Sequence, residues 1–249
     1  MKPGTGERRP PPRAPAGSLL LSETFVSLQG EGPSSGERAV FVRLAGCNLT
    51  CTWCDTRYSW DWDRYDPAVE TSIVDPKLLA ADLDRRAGPH TRLVVLTGGE
   101  PLLQQPAVVT LLTALRARRP DVRCEVETNG TVAPAEALVP LVYRFVVSPK
   151  LTHAGSAAAR VRPQTLRALL DLPRSVLKIV LDGPGDLPQV ASLAATARTT
   201  PDRIWLMPRA TTTAELLIGM RTLAGLAVDN GFNLSGRTHI LLWGDVRGR

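Results

Sequence analysis

The sequence predicts an α/β fold in which a parallel β-sheet is covered by helices. Short continuous apolar runs alternate with amphipathic segments of helical length, and this is the pattern of parallel strands buried on both faces. The chain has 249 residues, of which 43% are hydrophobic, so it can bury a large core as a single domain of barrel or large α/β type. We find no internal repeat and no linker after residue 18, and we predict one domain over residues 19–249.

The elements follow one another from residue 19 onward. Residues 19–36 begin as an extended apolar piece and end in a Gly-rich loop around residues 29–32. Asp75 is a typical N-cap with Pro76 at the first helical position, which places a helix start there. In chain order the further elements are strand 38–44, helix 75–86, strand 93–96, helix 106–119, strands 124–128 and 144–147, helix 163–170, strand 176–181, helix 187–198, strand 204–207, helix 214–230 and a last strand at 240–243.

Residues 1–18 differ from the rest of the chain in composition. They contain five of the 21 prolines and few apolar side chains, so they cannot bury enough surface to offset the entropy lost on ordering. We predict a disordered leader. Arg8 and Arg9 are not followed by the long apolar segment of a twin-arginine export signal.

Charge and hydropathy indicate a soluble, cytoplasmic protein. No apolar run approaches the roughly 18 residues needed to span a bilayer. The net charge of +6 lies mostly in the two ends of the chain, and basic tails on a near-neutral body are more typical of solvated segments than of a recognition face. We therefore expect no direct contact with nucleic acid. Crowded cysteines also indicate a reducing compartment.

Polar side chains follow directly after several predicted strands. The cysteine loop follows strand 38–44, and residues 97–101, 127–130 and 148–150 follow the second, third and fourth strands. Pro208 follows the sixth strand. Because the carboxyl ends of parallel strands meet at one edge of the sheet, these residues should surround one site.

Three of the four cysteines, Cys47, Cys51 and Cys54, have the spacing C-x3-C-x2-C. A closed zinc site needs four ligands, whereas a catalytic centre leaves a position open, so three thiolates on one loop favour an open site. The spacing alone leaves three possibilities: an iron–sulfur cluster, a chance grouping, or a zinc site whose fourth ligand would be Cys124, His90, His153 or His239.

Several motifs resemble one known family. The cysteine spacing and Thr97-Gly98-Gly99-Glu100-Pro101 resemble the radical S-adenosylmethionine (SAM) enzymes. FVSLQGEG (25–32), FVRLAGCNLTCTWCDT (41–56), TGGEPLLQ (97–104), ETNGT (127–131), SPK (148–150) and the final HILLWG (239–244) look like the 7-carboxy-7-deazaguanine synthase family of queuosine and 7-deazapurine biosynthesis. The resemblance runs from about Ser22 to the end of the chain.

The resemblance implies an incomplete TIM-like barrel and a lyase reaction. Such enzymes contract 6-carboxy-5,6,7,8-tetrahydropterin to 7-carboxy-7-deazaguanine with loss of ammonia, using a 4Fe-4S cluster, SAM and Mg²⁺. The family further implies a flavodoxin or ferredoxin as electron donor and a homodimer.

Matching motif positions assigns a role to individual residues. Cys47, Cys51 and Cys54 would hold the cluster and Thr56 the Mg²⁺. The residues expected to contact SAM are Trp53, Asp55, Gly99, Glu100, Ser148 and Lys150. Those expected to contact the substrate are Leu28, Gln29, Gly30, Arg43 and Thr97. Glu127 is a further polar candidate, and Arg43 could instead form a purely structural ion pair.

Two rival functions remain from the sequence. The first is a radical SAM activase of a glycyl-radical enzyme, which does not account for the QGEG loop and would usually have further cysteine clusters. The second is a zinc-stabilised nucleic-acid-binding module, which leaves TGGEP, ETNG and SPK without a role.

Overall fold

Residues 12–155 and 160–249 are described by the computed structural model, and within them nine strands form one mixed sheet. The strands are β1 (Leu19–Leu28), β2 (Arg38–Leu44), β3 (Ser72–Val74), β4 (Leu93–Gly98), β5 (Arg123–Thr128), β6 (Arg144–Val147), β7 (Val176–Leu181), β8 (Ile204–Pro208) and β9 (Asn233–Leu234). The helices are α1 (Pro67–Glu70), α2 (Pro76–Ala87), α3 (Gln105–Arg118), α4 (Pro163–Leu170), α5 (Leu187–Ala197), α6 (Thr213–Asn230) and α7 (Thr238–Trp243).

The sheet is an open, mostly parallel barrel. Its order is β3-β1-β2-β4-β5-β6-β7-β8-β9, and β2, β4, β5, β6, β7, β8 and β9 pair in parallel. β1 pairs antiparallel with both β2 and β3. No pairing joins β3 to β9 among the described residues, so the predicted incomplete barrel is confirmed. Both edge strands are short, with three residues in β3 and two in β9.

Alternate residues of each strand face opposite sides of the sheet, as the two-residue period of a strand requires. In β2, Val40, Val42 and Leu44 are fully buried in the main core against the helices. The intervening Phe41 and Arg43 line a cavity on the other face. The core therefore lies between sheet and helices, and the other face of the sheet is free to carry polar side chains.

Most predicted elements are confirmed to within one or two residues at each end. The predicted boundaries of strands 144–147 and 176–181 and of helix 163–170 coincide with those of β6, β7 and α4. The helix starts follow the expected chemistry: Asp75 accepts from the backbone of Lys77, and Thr212 forms a capping box with Glu215 at the start of α6.

The predicted strand at 240–243 is wrong, because these residues form helix α7. A short apolar run does not by itself distinguish a strand from a helix. Here Ile240 alone is fully buried, against Ala210 and Leu216, while Leu241 and Leu242 are 45% and 53% exposed. The last strand is instead β9, whose two residues carry too little pattern to be predicted.

Of the predicted leader, residues 1–11 lie outside the described residues. Ala14 packs against Leu20, Ala45 and Trp62. No helix in the described part of the chain is both long and apolar enough to cross a membrane.

Candidate active site

A cavity of about 230 Å³ lies at the carboxyl ends of the parallel strands. All but one of the predicted site residues line it: Leu28, Gln29, Gly30, Arg43, Cys47, Cys51, Trp53, Cys54, Asp55, Thr56, Thr97, Gly99, Ser148 and Lys150. Residues from the ends of four strands, β1, β2, β4 and β6, and from the loops that follow them therefore converge on one site. The exception is Glu100.

The cysteine loop forms one wall of this cavity. Cys47, Cys51 and Cys54 are free thiols that pack in one apolar cluster with Leu49 and Trp53, among others. Burial raises the pKa of Cys47 to about 12, and the neighbouring carboxyl of Glu100 and the two other thiols act in the same direction. Burial also raises the pKa of Cys51. Three thiols in a partly dry pocket, open on the cavity side, fit a group held by three thiolates.

The three histidines and the fourth cysteine lie at different places in the fold and do not surround one point. Cys124 is buried in β5 within the helix-facing core, and His90 is exposed in the loop before β4. His153 accepts a hydrogen bond from the Trp53 indole through Nδ1 at 3.0 Å, and His239 lies beside Gly30. Within residues 12–155 and 160–249, no three or more His, Cys, Asp or Glu side chains are grouped as ligands of a single metal ion.

The two glycines at the end of β4, Gly98 and Gly99, fix the loop after β2. Gly99 N–H donates to Leu44 O at 3.0 Å, and Glu100 N–H donates to Gly46 O at 2.8 Å. A Cβ on Gly98 would lie 2.1 Å from Leu44 O, and one on Gly99 would lie 1.9 Å from Gly46 O. Only glycine allows this approach of two backbones, so the TGGEP segment directly supports the start of the cysteine loop.

Glu100 lies next to the site, with its side chain held by contacts within the protein, and its contact with SAM stays a prediction. The residue is fully buried and does not line the cavity. Its Oε1 accepts from Leu102 N–H at 3.0 Å and from Thr128 Oγ1 at 2.8 Å, and its Oε2 accepts from Asn129 N–H at 2.7 Å. The carboxyl therefore caps the turn after β4 and ties it to the end of β5.

The ETNGT segment connects β5 to the cysteine loop. Asn129 Nδ2 donates to Asn48 Oδ1 at 2.9 Å, and Asn48 Nδ2 donates to Thr131 Oγ1 at 2.7 Å. Asn48 lies between the first two cysteines. The amide contacts therefore hold the cysteine loop from a second side.

A charged network forms one side of the cavity. Lys178 of β7 pairs with Glu31 and with Glu127, the latter at 3.2 Å, and Arg237 Nε donates to Glu31 at 2.9 Å. Arg237 also pairs with Asp55 of the cysteine loop. Burial disfavours the charge of Glu31, yet Lys178 and Arg237 hold the pKa of this carboxyl well below its usual range. Despite burial, Glu127 and Glu31 raise the pKa of Lys178, so Lys178 and Glu31 both stay charged.

The Gly-rich loop after β1 joins this network. Gln29 Nε2 donates to Glu127 Oε1 at 3.3 Å, and Thr97 Oγ1 donates to Glu127 Oε2 at 2.8 Å. A Cβ on Gly30 would lie 2.1 Å from His239 Nδ1, so the loop passes directly under the His239 ring. Burial lowers the pKa of His239.

Arg43 lies at another side of the cavity and has a carboxylate partner within the protein. Its Nε donates to Glu23 Oε1 at 2.8 Å, and its guanidinium lies 5.8 Å from the Phe25 ring centre and 6.0 Å from that of Tyr58. Arg43 therefore forms the ion pair considered from the sequence while it also faces the cavity.

The residues expected near SAM are grouped around the cysteine loop. Lys150 Nζ donates to Ser148 Oγ at 3.0 Å and lies 5.5 Å from the centre of the Trp53 ring. Thr56 Oγ1 is 3.6 Å from Cys54 Sγ. A second cavity of about 680 Å³ adjoins the first, and both are lined by Trp53, Cys54 and Asp55.

Sequence reasoning did not assign a role to Lys178, Arg237 or Glu31. A usable signal existed for Lys178, since a lysine within the apolar strand VLKIVL needs buried partners. Arg237 belongs to a loop without a distinctive pattern. Only the fold brings it to Glu31, 206 residues away in sequence.

Comparisons with known proteins agree with this geometry. The family described as the Radical SAM superfamily matches residues 42–147. The 7-carboxy-7-deazaguanine synthase of Pyrobaculum aerophilum is 37% identical over 232 residues, which cover 93% of this chain and 97% of the relative. That of Halobacterium salinarum is 38% identical and covers 92% of each chain. The crystal structure of QueE from Escherichia coli matches with a TM-score of 0.67 at 27% identity, covering 90% of this chain and 96% of that chain.

Proposed function

Since the chain belongs to the 7-carboxy-7-deazaguanine synthase family of radical SAM enzymes, we propose that it contracts 6-carboxy-5,6,7,8-tetrahydropterin to 7-carboxy-7-deazaguanine with release of ammonia. One observation supports this assignment above the others. Three free thiols, the guanidinium of Arg43 and the Gln29–Glu127 pair line the same cavity. That cavity therefore offers ligands for an iron–sulfur cluster and for a carboxylated heterocycle side by side.

The three thiols would hold a 4Fe-4S cluster as thiolates, leaving one position open. When bound, the cluster supplies the electron that cleaves SAM and so begins hydrogen abstraction from C6 of the substrate. The protein keeps the thiols in an apolar cluster whose backbone is fixed by Gly99 and Asn48. These contacts hold the start of the cysteine loop, around Cys47, before any ligand arrives.

SAM would lie beside the cysteine loop. The Gly99 backbone, Ser148, Lys150, Trp53 and Asp55 line the cavity on this side. The adjoining larger cavity begins at Trp53, Cys54 and Asp55 and would take the adenosyl part. Lys150 would bind the carboxylate of the methionine part, since its ammonium faces the cavity between Ser148 and Trp53.

The substrate would be held at its two polar ends. Arg43 presents a guanidinium, the best partner for a carboxylate. At the other end Glu127 accepts hydrogen bonds from Gln29, Thr97 and Lys178, which would hold its carboxyl group in place as an acceptor for pterin N–H groups. Leu28 and Gly30 would complete this side, and the apolar Phe25, Phe41, Val180 and Met207 help to exclude water.

The remaining components of the assignment rest on the family. Thr56 would hold Mg²⁺ through Oγ1, a hard oxygen ligand that lines the cavity. We propose a flavodoxin or ferredoxin as electron donor, a homodimer, a cytoplasmic location, and residues 19–249 as the catalytic domain.

Turnover under anaerobic conditions tests the proposal. The iron-reconstituted chain is incubated with SAM, dithionite, Mg²⁺ and 6-carboxytetrahydropterin, and the products are separated by chromatography. We expect 7-carboxy-7-deazaguanine from the wild type and none from Cys51→Ala. Cleavage of SAM without this product would exclude the substrate but keep the enzyme class, as an activase would behave. A colourless zinc protein would exclude both the substrate and the enzyme class.

A further inference from the structure

Arg247, in the segment after α7, reaches back to the other end of the chain. Its Nε donates to Glu23 Oε2 of β1 at 3.0 Å, and its Nη1 donates to Glu70 Oε2 of α1 at 2.7 Å. Its guanidinium carbon lies 3.9 Å from the centre of the Tyr58 ring. Three independent contacts thus fix one side chain, although that side chain is 44% exposed.

Glu23 is shared between this arginine and the cavity. Its Oε1 accepts from Arg43 Nε and from the Tyr58 hydroxyl, both at 2.8 Å, while its Oε2 accepts from Arg247. Burial favours the neutral acid, but hydrogen bonds from Arg43, Tyr58 and Arg247 keep the pKa of Glu23 below its usual value. The carboxylate therefore stays charged between two guanidinium groups.

The sharing changes what Arg43 offers to a ligand. If Glu23 faced Arg43 alone, its negative charge would largely cancel the attraction of Arg43 for an anion. Arg247 and Glu70 complete the group, so two carboxylates face two arginines. The carboxylate of Glu23 is shared between Arg43 and Arg247. Arg43 then faces the cavity with part of its charge uncompensated.

The same contacts position the segment around Arg247. Arg249 lines the cavity two residues further on. Holding Arg247 on Glu23, Glu70 and Tyr58 therefore keeps this segment at the cavity, next to Arg43.

We propose that Arg247 is a positioning residue for recognition of the substrate's carboxylate: it takes up part of the Glu23 charge and so leaves Arg43 free to bind that group. This inference rests on the proposed function. It goes further in assigning carboxylate selectivity to a residue in the segment after the last helix.

Two ligands that differ only in the carboxylate test this role. 6-Carboxypterin carries the group and pterin lacks it, and both are oxidised rings without the saturated C6–H from which the proposed reaction abstracts hydrogen. Their affinities are measured with the reconstituted full chain in the presence of SAM. We expect Arg247→Met to lower the affinity for 6-carboxypterin at least tenfold and the affinity for pterin less than twofold. Arg247→Lys should recover most of the lost affinity for 6-carboxypterin. In turnover, KM should rise more than kcat falls.

Arg92→Met is the matched control, since Arg92 also forms an exposed ion pair, with Asp121 at 3.1 Å, but does not line the cavity. It should leave both affinities unchanged. Equal weakening of the two ligands by Arg247→Met, or no weakening of either, would overturn the role of Arg247. A wild type that makes no 7-carboxy-7-deazaguanine would instead refute the proposed function itself.

Discussion

Gly30 lies at a point of the cavity wall that leaves no room for a side chain. A methyl group there would lie 2.1 Å from His239 Nδ1 and 3.1 Å from the His239 backbone nitrogen, so the neighbour cannot move aside without shifting the start of α7. We expect Gly30→Ala to displace His239 and the loop from Gln29 to Glu31, at a cost of about 1–3 kcal/mol for overpacking.

The affinity for 6-carboxypterin should fall about tenfold or more in Gly30→Ala, since the displaced loop must return to its wild-type position for the ligand to bind and each 1.4 kcal/mol of that cost corresponds to a factor of ten. Titration calorimetry measures it. Gly225→Ala is the control, because a Cβ at this exposed position of α6 meets no atom within 4 Å and alanine favours a helix by about 1 kcal/mol. Affinity retained in Gly30→Ala would show that the loop and His239 can separate freely.

At the same scale, the sequence predicted residues that belong to contiguous motifs and missed those that act alone. Gln29, Arg43 and Thr97 were recognised by their neighbours in the chain, and all three line the cavity. Glu100 was recognised too, but its side chain turns into the protein to cap a loop. A motif fixes where the backbone goes, whereas the direction of a side chain depends on partners that are distant in sequence.

Strand β7 shows how one element serves both core and site. Its residues are all buried, and Leu177, Ile179 and Leu181 face the helices while Lys178 faces Glu31 and Glu127. We expect Lys178→Met to leave two carboxylates near each other with less compensation, and to lower the free energy of unfolding by about 3–5 kcal/mol.

Urea denaturation followed by tryptophan fluorescence measures this loss. Lys77→Met, at an exposed position of α2, should change the free energy of unfolding by no more than about 0.5 kcal/mol. If Lys178→Met were as stable as Lys77→Met, the network around β7 would contribute nothing to folding.

Elements with long periodic patterns were predictable, and short ones were not. Helices α2 and α6 carry caps and many turns, so several observations agree on each. β3 and β9 have three and two residues, and α7 was mistaken for a strand because four apolar residues fit either period. What decides such pieces is the surface they meet, which for α7 is the pocket that takes Ile240.

For the whole molecule, the buried carboxylates predict how stability depends on pH. The pKa values of Glu23 and Glu31 lie below the ordinary 4.5 in the folded state. Their contribution is therefore complete above pH 4.5 and is lost as the pH falls through their folded-state values. Burial raises the pKa values of Glu100 and Glu125, so these two act oppositely, and stability should rise on acidification toward 4.5 before it falls.

Urea unfolding at a series of pH values between 7 and 3.5 tests this. Below pH 4.5 the slope should be steeper in the wild type than in Glu31→Gln by up to about 1.4 kcal/mol per pH unit, the value for one proton. Identical slopes in the two proteins would show that Glu31 is not held ionised by Lys178 and Arg237.

The shortness of the two edge strands has a consequence for the protein in solution. An open barrel exposes the rims of its sheet, and a long, flat rim is a template on which another chain can add a strand and begin aggregation. β3 and β9 together present five residues, but β3 pairs with only Leu19–Leu21 of β1, so residues 22–28 of β1 have no strand on that side within the described part of the chain. The part of the described rim on which another strand could add is therefore residues 22–28 of β1 and not the short edge strands themselves.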